Sequence, residues 1–185
     1  MYTEYQIRAA FRATIKQALE DMDVSGYKVL ERHQQTMTHE YDCVLIDKIN
    51  MRQNGVQAHR IVKIVNAEGK NVIVKRQEWI ETWTWQISVV HRRRVEDTIE
   101  SLTGEDVANR LRTWLNSADG AAAMRSRTDV PFAPFQTFDL RLRPYKDDSD
   151  INQVEAMFDF KMNLVQFRDT EPRAIEGWEW EVHGI

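Results

Sequence analysis

The sequence predicts an α+β domain in which an antiparallel or mixed β-sheet with a long hairpin is covered by two main α-helices. Three stretches carry that expectation. In Gln77 to Val90, QEWIETWTWQISVV, the residues Trp79, Trp83, Trp85, Ile87 and Val89 fall on odd positions, with Thr82, Thr84, Gln86 and Ser88 between them. A period of two is that of a half-buried strand, and three indoles on one face carry enough apolar area to seed a core. Near the start, Ile7, Phe11, Ile15, Ala18 and Met22 recur at three- and four-residue intervals, the stripe of an amphipathic helix. Towards the end, Phe138 to Arg143 and Val154 to Leu164 are two alternating runs joined by a polar turn, which reads as a second hairpin.

Composition bounds the rest. The 185 residues are 42% hydrophobic and 29% charged, an ordinary globular balance that suits one domain spanning 1–185. A net charge of −4 argues against a chain-wide attraction for nucleic acid or anionic membrane, so any such contact needs a local patch. Cys43 is the only cysteine, which excludes an internal disulfide framework and a cysteine-based zinc cluster. Its expected role is that of a small buried apolar residue. The opening residues, MYTEYQIRAAF, are charged and amphipathic unlike a signal peptide, and no 18-residue apolar run occurs. These features predict a protein with no membrane partner, made and kept in a reducing interior.

Taken in order, Thr3 and Gln6 have the spacing of a capping box and Glu4 sits in the first turn, so a helix is expected over about residues 4–22, with Gly26 beyond its end. Tyr27 to Glu40 has a weak pattern, extended chain or a loop with a short strand. Tyr41 to Met51 is rich in aliphatic and β-branched residues, Asn54-Gly55 is a turn signal, and Ala58 to Val65 resumes the strand pattern. With a second turn at Asn66 to Asn71, the stretch Tyr41 to Val90 reads as a three-stranded antiparallel meander whose tip, with Lys63, Lys70, Lys75 and Arg76, is cationic.

Thr103 and Asp106 cap a second helix, whose apolar face Val107, Leu111, Trp114, Leu115 and Ala118 is the cover the Trp strand requires. Asp119-Gly120 ends or kinks it, Ala121 to Met124 adds a turn, and Pro131 and Pro134 mark a loop. In the closing hairpin Phe138, Leu140 and Leu142 face inward, as do Val154, Ala156, Phe158, Phe160, Met162 and Leu164, with Glu155, Asp159, Lys161 and Asn163 outward. Arg141 and Arg143 then share a side with Glu155 and Asp159, which predicts cross-strand ion pairs. Glu176 to Val182 alternates once more, Trp178, Trp180 and Val182 against Glu179 and Glu181, and reads as a last edge strand.

Few residues suggest chemistry. Asp139 with Asp159-Phe160-Lys161 resembles the arrangement of a Mg²⁺-dependent nuclease, in which carboxylates hold the ion and the lysine steadies the nucleophile. The competing reading is a solvated sheet face with ordinary ion pairs. His33, His39, His59, His91 and His183 are scattered without metal-ligand spacing, and no glycine-rich phosphate loop or nucleophile elbow occurs, so neither a metal nor a cofactor is expected. Arg92, Arg93 and Arg94 beside the Trp strand could form a nucleic-acid patch with stacking aromatics. Against this, Trp83 and Trp85 share their face with Ile87 and Val89, as core residues do, which leaves the arginines as a solvated strand end or a subunit contact.

With these elements laid out, their order is similar to that of the phage tail terminator family, also called neck terminator or tail completion proteins. Three stretches carry the resemblance: ERHQQTMTHEY at Glu31 to Tyr41, WTWQISVVHRRR with the later GEDVANRLRTWLN, and FDLRLRP with VEAMFDFKMNLVQF. The resemblance implies a non-enzymatic virion protein, assembled in the host cytoplasm. Six copies form a ring that caps the tail tube, ends its polymerisation and joins it to the neck or connector protein, with the sheath as a further partner. DNA would slide through the lumen without specific binding. The candidate interface is the cationic set Lys63, Lys70, Lys75, Arg76, Arg92, Arg93 and Arg94. The Mg²⁺ nuclease and a small nucleic-acid-binding module remain as alternatives.

Overall fold

The computed structural model describes residues 1–32, 42–65, 68–69, 71–91, 101–146 and 152–170, with backbone alone at 145–146 and 152–153. Along them run α1 (Glu4–Asp21), β1 (Lys28–Glu31), β2 (Cys43–Val65), β3 (Asn71–Val90), α2 (Gly104–Asn116), α3 (Ala118–Arg125), β4 (Ala133–Thr137), β5 (Arg141–Lys146) and β6 (Asn152–Thr170). The result is the expected α+β fold with a mixed sheet. Strand order is β1-β2-β3-β6-β4, and β5 also pairs with β6. Among the described residues only the β1–β2 pair is parallel.

Trp85 lies at the centre of the packing. It is wholly buried, with the Phe11 ring of α1 stacked on it at 4.6 Å, and Phe11 also stacks with Phe160, the cross-strand neighbour of Trp85 on β6, at 5.8 Å. Trp83, Ile87 and Val89 line the same sheet face, as the alternation predicts, and Val107, Leu111 and Leu115 of α2 join them in one core cluster. The second helix covers this strand as expected, and α1 shares the cover through Phe11. Both helices begin as expected. Thr3 and Gln6 cap each other reciprocally, and Thr103 and Asp106 do the same at α2.

Several expectations need correction. Asn54-Gly55 is not a hairpin turn: β2 runs unbroken through it, so Tyr41 to Val90 holds one long hairpin and not a three-strand meander. Gly55 does adopt the left-handed conformation (φ +73°) that makes Asn-Gly a turn signal, but uses it in a bulge, where β2 advances from Asn54 to Ala58 while β3 moves from Ile80 to Glu78. A further residue, Ile49, is inserted between Lys48 and Asn50. The second helical segment breaks earlier than expected, at Ser117, whose side chain caps α3 by accepting from the Gly120 amide at 3.0 Å. Gly120 does not end the helix. A Cβ there would overlap the Trp114 carbonyl oxygen, so the glycine lets α3 fold back closely on α2.

The segment with Pro131 and Pro134 is not wholly loop, since Ala133 to Thr137 forms the edge strand β4 against β6. Pro134 is tolerated because the strand lies at an edge. β5 starts at Arg141, three residues later than expected, leaving Leu140 half-buried against the core, Phe138 half-buried and Leu142 exposed. Val154 is also exposed. Glu155 is not outward: it is buried on the second sheet face. The weak Tyr27 to Glu40 stretch yields β1 in its first part. The strand expected at Glu176 to Val182 lies outside the described residues.

Candidate functional site

β1 stops opposite Ile46 and β4 stops opposite Asn163, yet β2, β3 and β6 continue. Past those points the three strands form an arm, and beyond Lys75, which faces Thr170, only β2 and β3 remain among the described residues. No residue of β2 after Ile46 is buried. The arm carries apolar side chains in the open: Val56 is 96% exposed, Ile61 78%, Val65 65% and Ile73 60%. Cross-strand register pairs Ile61 with Lys75 and Lys63 with Ile73, so on one face two lysines and two isoleucines form a checkerboard, next to Val65. Lys63 and Lys75, two of the candidate interface residues, thus share a surface with apolar groups able to make contact.

Arg76 behaves differently. It points to the opposite face, where Nε and Nη2 reach the two oxygens of Asp169 at 2.7 and 2.8 Å and the guanidinium lies 4.4 Å from the centre of the Phe167 ring. The hydrogen-bonded ion pair holds the Asp169 carboxyl below the usual carboxylate range and raises Arg76. Lys70, Arg92, Arg93 and Arg94 lie outside the described residues. Along β2 itself, Lys48, Arg52, Arg60 and Lys63 are joined by no carboxylate between Asp47 and Glu68.

The root of the arm holds a polar cluster that alternation alone foresees only in part. Glu81 occupies an odd position in the Trp stripe and is 8% exposed. Its carboxylate accepts from the Trp79 indole at 3.0 Å, the Trp83 indole at 2.9 Å and Gln166 Nε2 at 3.3 Å. Gln166 in turn accepts from the Tyr2 amide at 2.8 Å and donates to the Tyr2 carbonyl at 3.1 Å. The chain start, β3 and β6 are thereby tied together where the helical cover ends. A second cluster unites the three stretches that carry the family resemblance: Arg32 donates to Gln86 at 3.0 Å and to Glu155 at 2.9 Å. These partners are far apart in sequence, so no spacing rule could have joined them.

The suggested nuclease residues are engaged separately. Asp159 accepts from Arg141 at 2.7 Å, the predicted cross-strand pair; Lys161 Nζ lies 4.8 Å from the centre of the Phe138 ring; Asp139 is fully exposed, with Arg112 at 3.9 Å. Among the described residues no group of three His, Cys, Asp or Glu side chains could hold a metal ion. Cys43 is buried as expected, and burial with Asp42 and Glu155 nearby pushes its thiol up to about 11, away from nucleophilic reactivity. The exposed apolar arm went unread because Ile61-Val62 and Ile64-Val65 place aliphatic groups on both faces. That pattern is the available signal, since a strand covered on one side needs only one apolar face.

Over residues 6–171 the chain matches the family described as E217 gateway protein gp29. The chain belongs to that family. A search of curated proteins gave no match. The matched stretch takes in the whole sheet, α2, α3 and nearly all of α1. Gateway proteins of this kind are phage head-tail proteins, which assigns the chain a structural, virion-associated role and bears out the neck-protein resemblance at that level.

Proposed function

We propose that the chain is the subunit of a six-membered ring at the head-tail junction, which caps the tail tube, stops its growth and joins it to the neck or connector protein. Membership of the gateway family carries this reading, and the arm supports it. A polymerising tube ends in unpaired strand edges and apolar surface, and an arm with exposed aliphatic residues and an open edge is suited to pairing with them. Closed rotational symmetry then leaves no equivalent edge for another tube subunit. The overall negative charge suits a channel for DNA, since phosphates repelled by the wall do not adhere.

The test is assembly of tails with and without the protein, followed by electron microscopy and mass measurement of the capped tubes. Rings at tube ends and tubes of uniform length are expected with it, and overlong tubes or tailless heads without it. A protein that stays monomeric beside tubes, and whose removal leaves tails normal, would overturn the reading.

A further inference from the structure

We infer that residues 171–185 of one copy add as a strand to the open edge of β2 in the next copy, stitching neighbouring arms together. This rests on the ring reading above and names the contact that closes it. Among the described residues β2 has no partner on its outer side from Asp47 to Val65, because β1 ends opposite Ile46. Such an edge is a row of unpaired backbone donors and acceptors, a template for another strand. Its charged side chains after Asp47 are all cationic: Lys48, Arg52, Arg60 and Lys63. Two copies of the edge therefore repel each other, which disfavours symmetric edge-to-edge pairing and leaves the edge open to an acidic strand.

The chain supplies one. Residues 171–185 hold Glu171, Glu176, Glu179 and Glu181 against Arg173 alone, and within them Trp178, Trp180 and Val182 alternate with Glu179 and Glu181. The β2 edge has the complementary alternation. Ile61 and Val65 are exposed on one face, while Arg52 and Arg60, the latter also bonded to Glu78 of β3, stand on the other. A strand laid along it sets indoles beside Ile61 and Val65 and turns carboxylates to the arginine side, with backbone hydrogen bonds supplying affinity and side-chain alternation supplying register.

Direction selects the neighbour over the chain's own edge. β6 ends at Thr170 opposite Lys75, on the side of β3 away from β2. Thr170 thus stands on one side of the arm while the open edge of β2 lies on the other. Reaching its own edge would require doubling back across the arm, whereas reaching the next copy continues outward. An extended stretch of this length spans about 50 Å, far more than the roughly 5 Å between adjacent strands. Donor on one side and acceptor on the other make a head-to-tail contact, the kind that closes into a ring.

The test titrates a fluorescent synthetic peptide of residues 171–185 against the dilute intact chain, with a scrambled peptide as control. Binding of the true peptide alone is expected, weakened at least tenfold in an Ile61→Glu/Val65→Glu variant whose melting temperature is unchanged. Absent binding, or equal binding to that variant, overturns the inference. So does a peptide refused by the intact chain but taken by a Trp178→Ser/Trp180→Ser variant, since the segment then occupies its own edge. A variant at Ile61 and Val65 that caps tubes like the wild type sinks this contact and leaves the ring reading standing. Peptide binding by a wild-type chain that ignores tubes sinks the ring reading instead.

Discussion

At its Val90 end β3 is flanked by β2 and β6 and roofed by two helices; at its Asn71 end, among the described residues, the same strand pairs with β2 alone, with Ile73 in the open. One continuous hairpin therefore serves two ends. Its lower half is stabilised by apolar surface withdrawn from water, and its upper half keeps apolar surface available. A two-stranded ribbon has little stability of its own, so the arm depends on the core below it for its shape. Strand propensity thus fixes where the chain is extended, while the reach of α1 and α2 decides which part of it is core.

The strongest challenge to this division into body and arm comes from the body. Trp85→Ala removes a wholly buried indole stacked on Phe11 and should cost about 3 to 5 kcal/mol, most of the stability of an ordinary domain. Thermal or denaturant unfolding measures it. Ile61→Ser with Ile73→Ser on the arm should change stability by no more than about 0.5 kcal/mol. If both variants melt alike, body and arm are not distinct.

Next in size is Gly120→Ala. With no room for a Cβ beside the Trp114 carbonyl, α3 must move away from α2, at a cost of about 1 to 3 kcal/mol. Unfolding of this variant at the wild-type midpoint would show that the α2–α3 junction gives way freely.

A weaker probe is acid sensitivity, which resolves body from arm more finely because its groups straddle both halves. Glu4, hydrogen-bonded to Lys48 and Arg8, and Asp106, bonded to the Thr103 hydroxyl and amide, lie at helix starts; Asp129 binds Arg127, and Asp169 binds Arg76 on the arm. All four carboxyls titrate below their ordinary values, so the folded state holds their protons less tightly than the unfolded one. Their contribution is complete above the ordinary carboxylate range of about 4 and fades as pH falls through the lowered values. Melting temperature should be flat down to about pH 5 and decline below it, less steeply in Asp169→Asn. Because these groups are largely solvated, each share is small.

Much of the body was legible in the sequence because its signals are local and periodic: the odd-position Trp stripe, the helical stripe through Phe11 and both capping boxes stand where spacing put them. What was not legible depends on partners distant in sequence. Asn54-Gly55 supplies the left-handed residue a turn needs, but β3 continues the ladder beside it, so the conformation became a bulge. Glu155 alternates like an outward residue, yet it is buried and met by Arg32, which comes from another part of the chain and also bonds Gln86. For the candidate interface, Lys63 and Lys75 were visible as charges, while the isoleucines between them looked like ordinary strand residues. Arg76 looked free, and Asp169, its partner, lies far along the chain.

The bulges also shape the arm as a whole. Between Lys48 and Ala58 the outer strand uses three more residues than β3 does over the same rise, a surplus of roughly 10 Å of contour. A ribbon whose one margin is longer than the other cannot lie flat; it coils and leans towards the shorter margin. Set around a common axis, such leaning ribbons would follow a curved wall where straight ones would stand off from it as spokes. Deleting Ile49, Val56 and Gln57 would even out the margins, and the curvature of any assembled ring would then have to come from somewhere else.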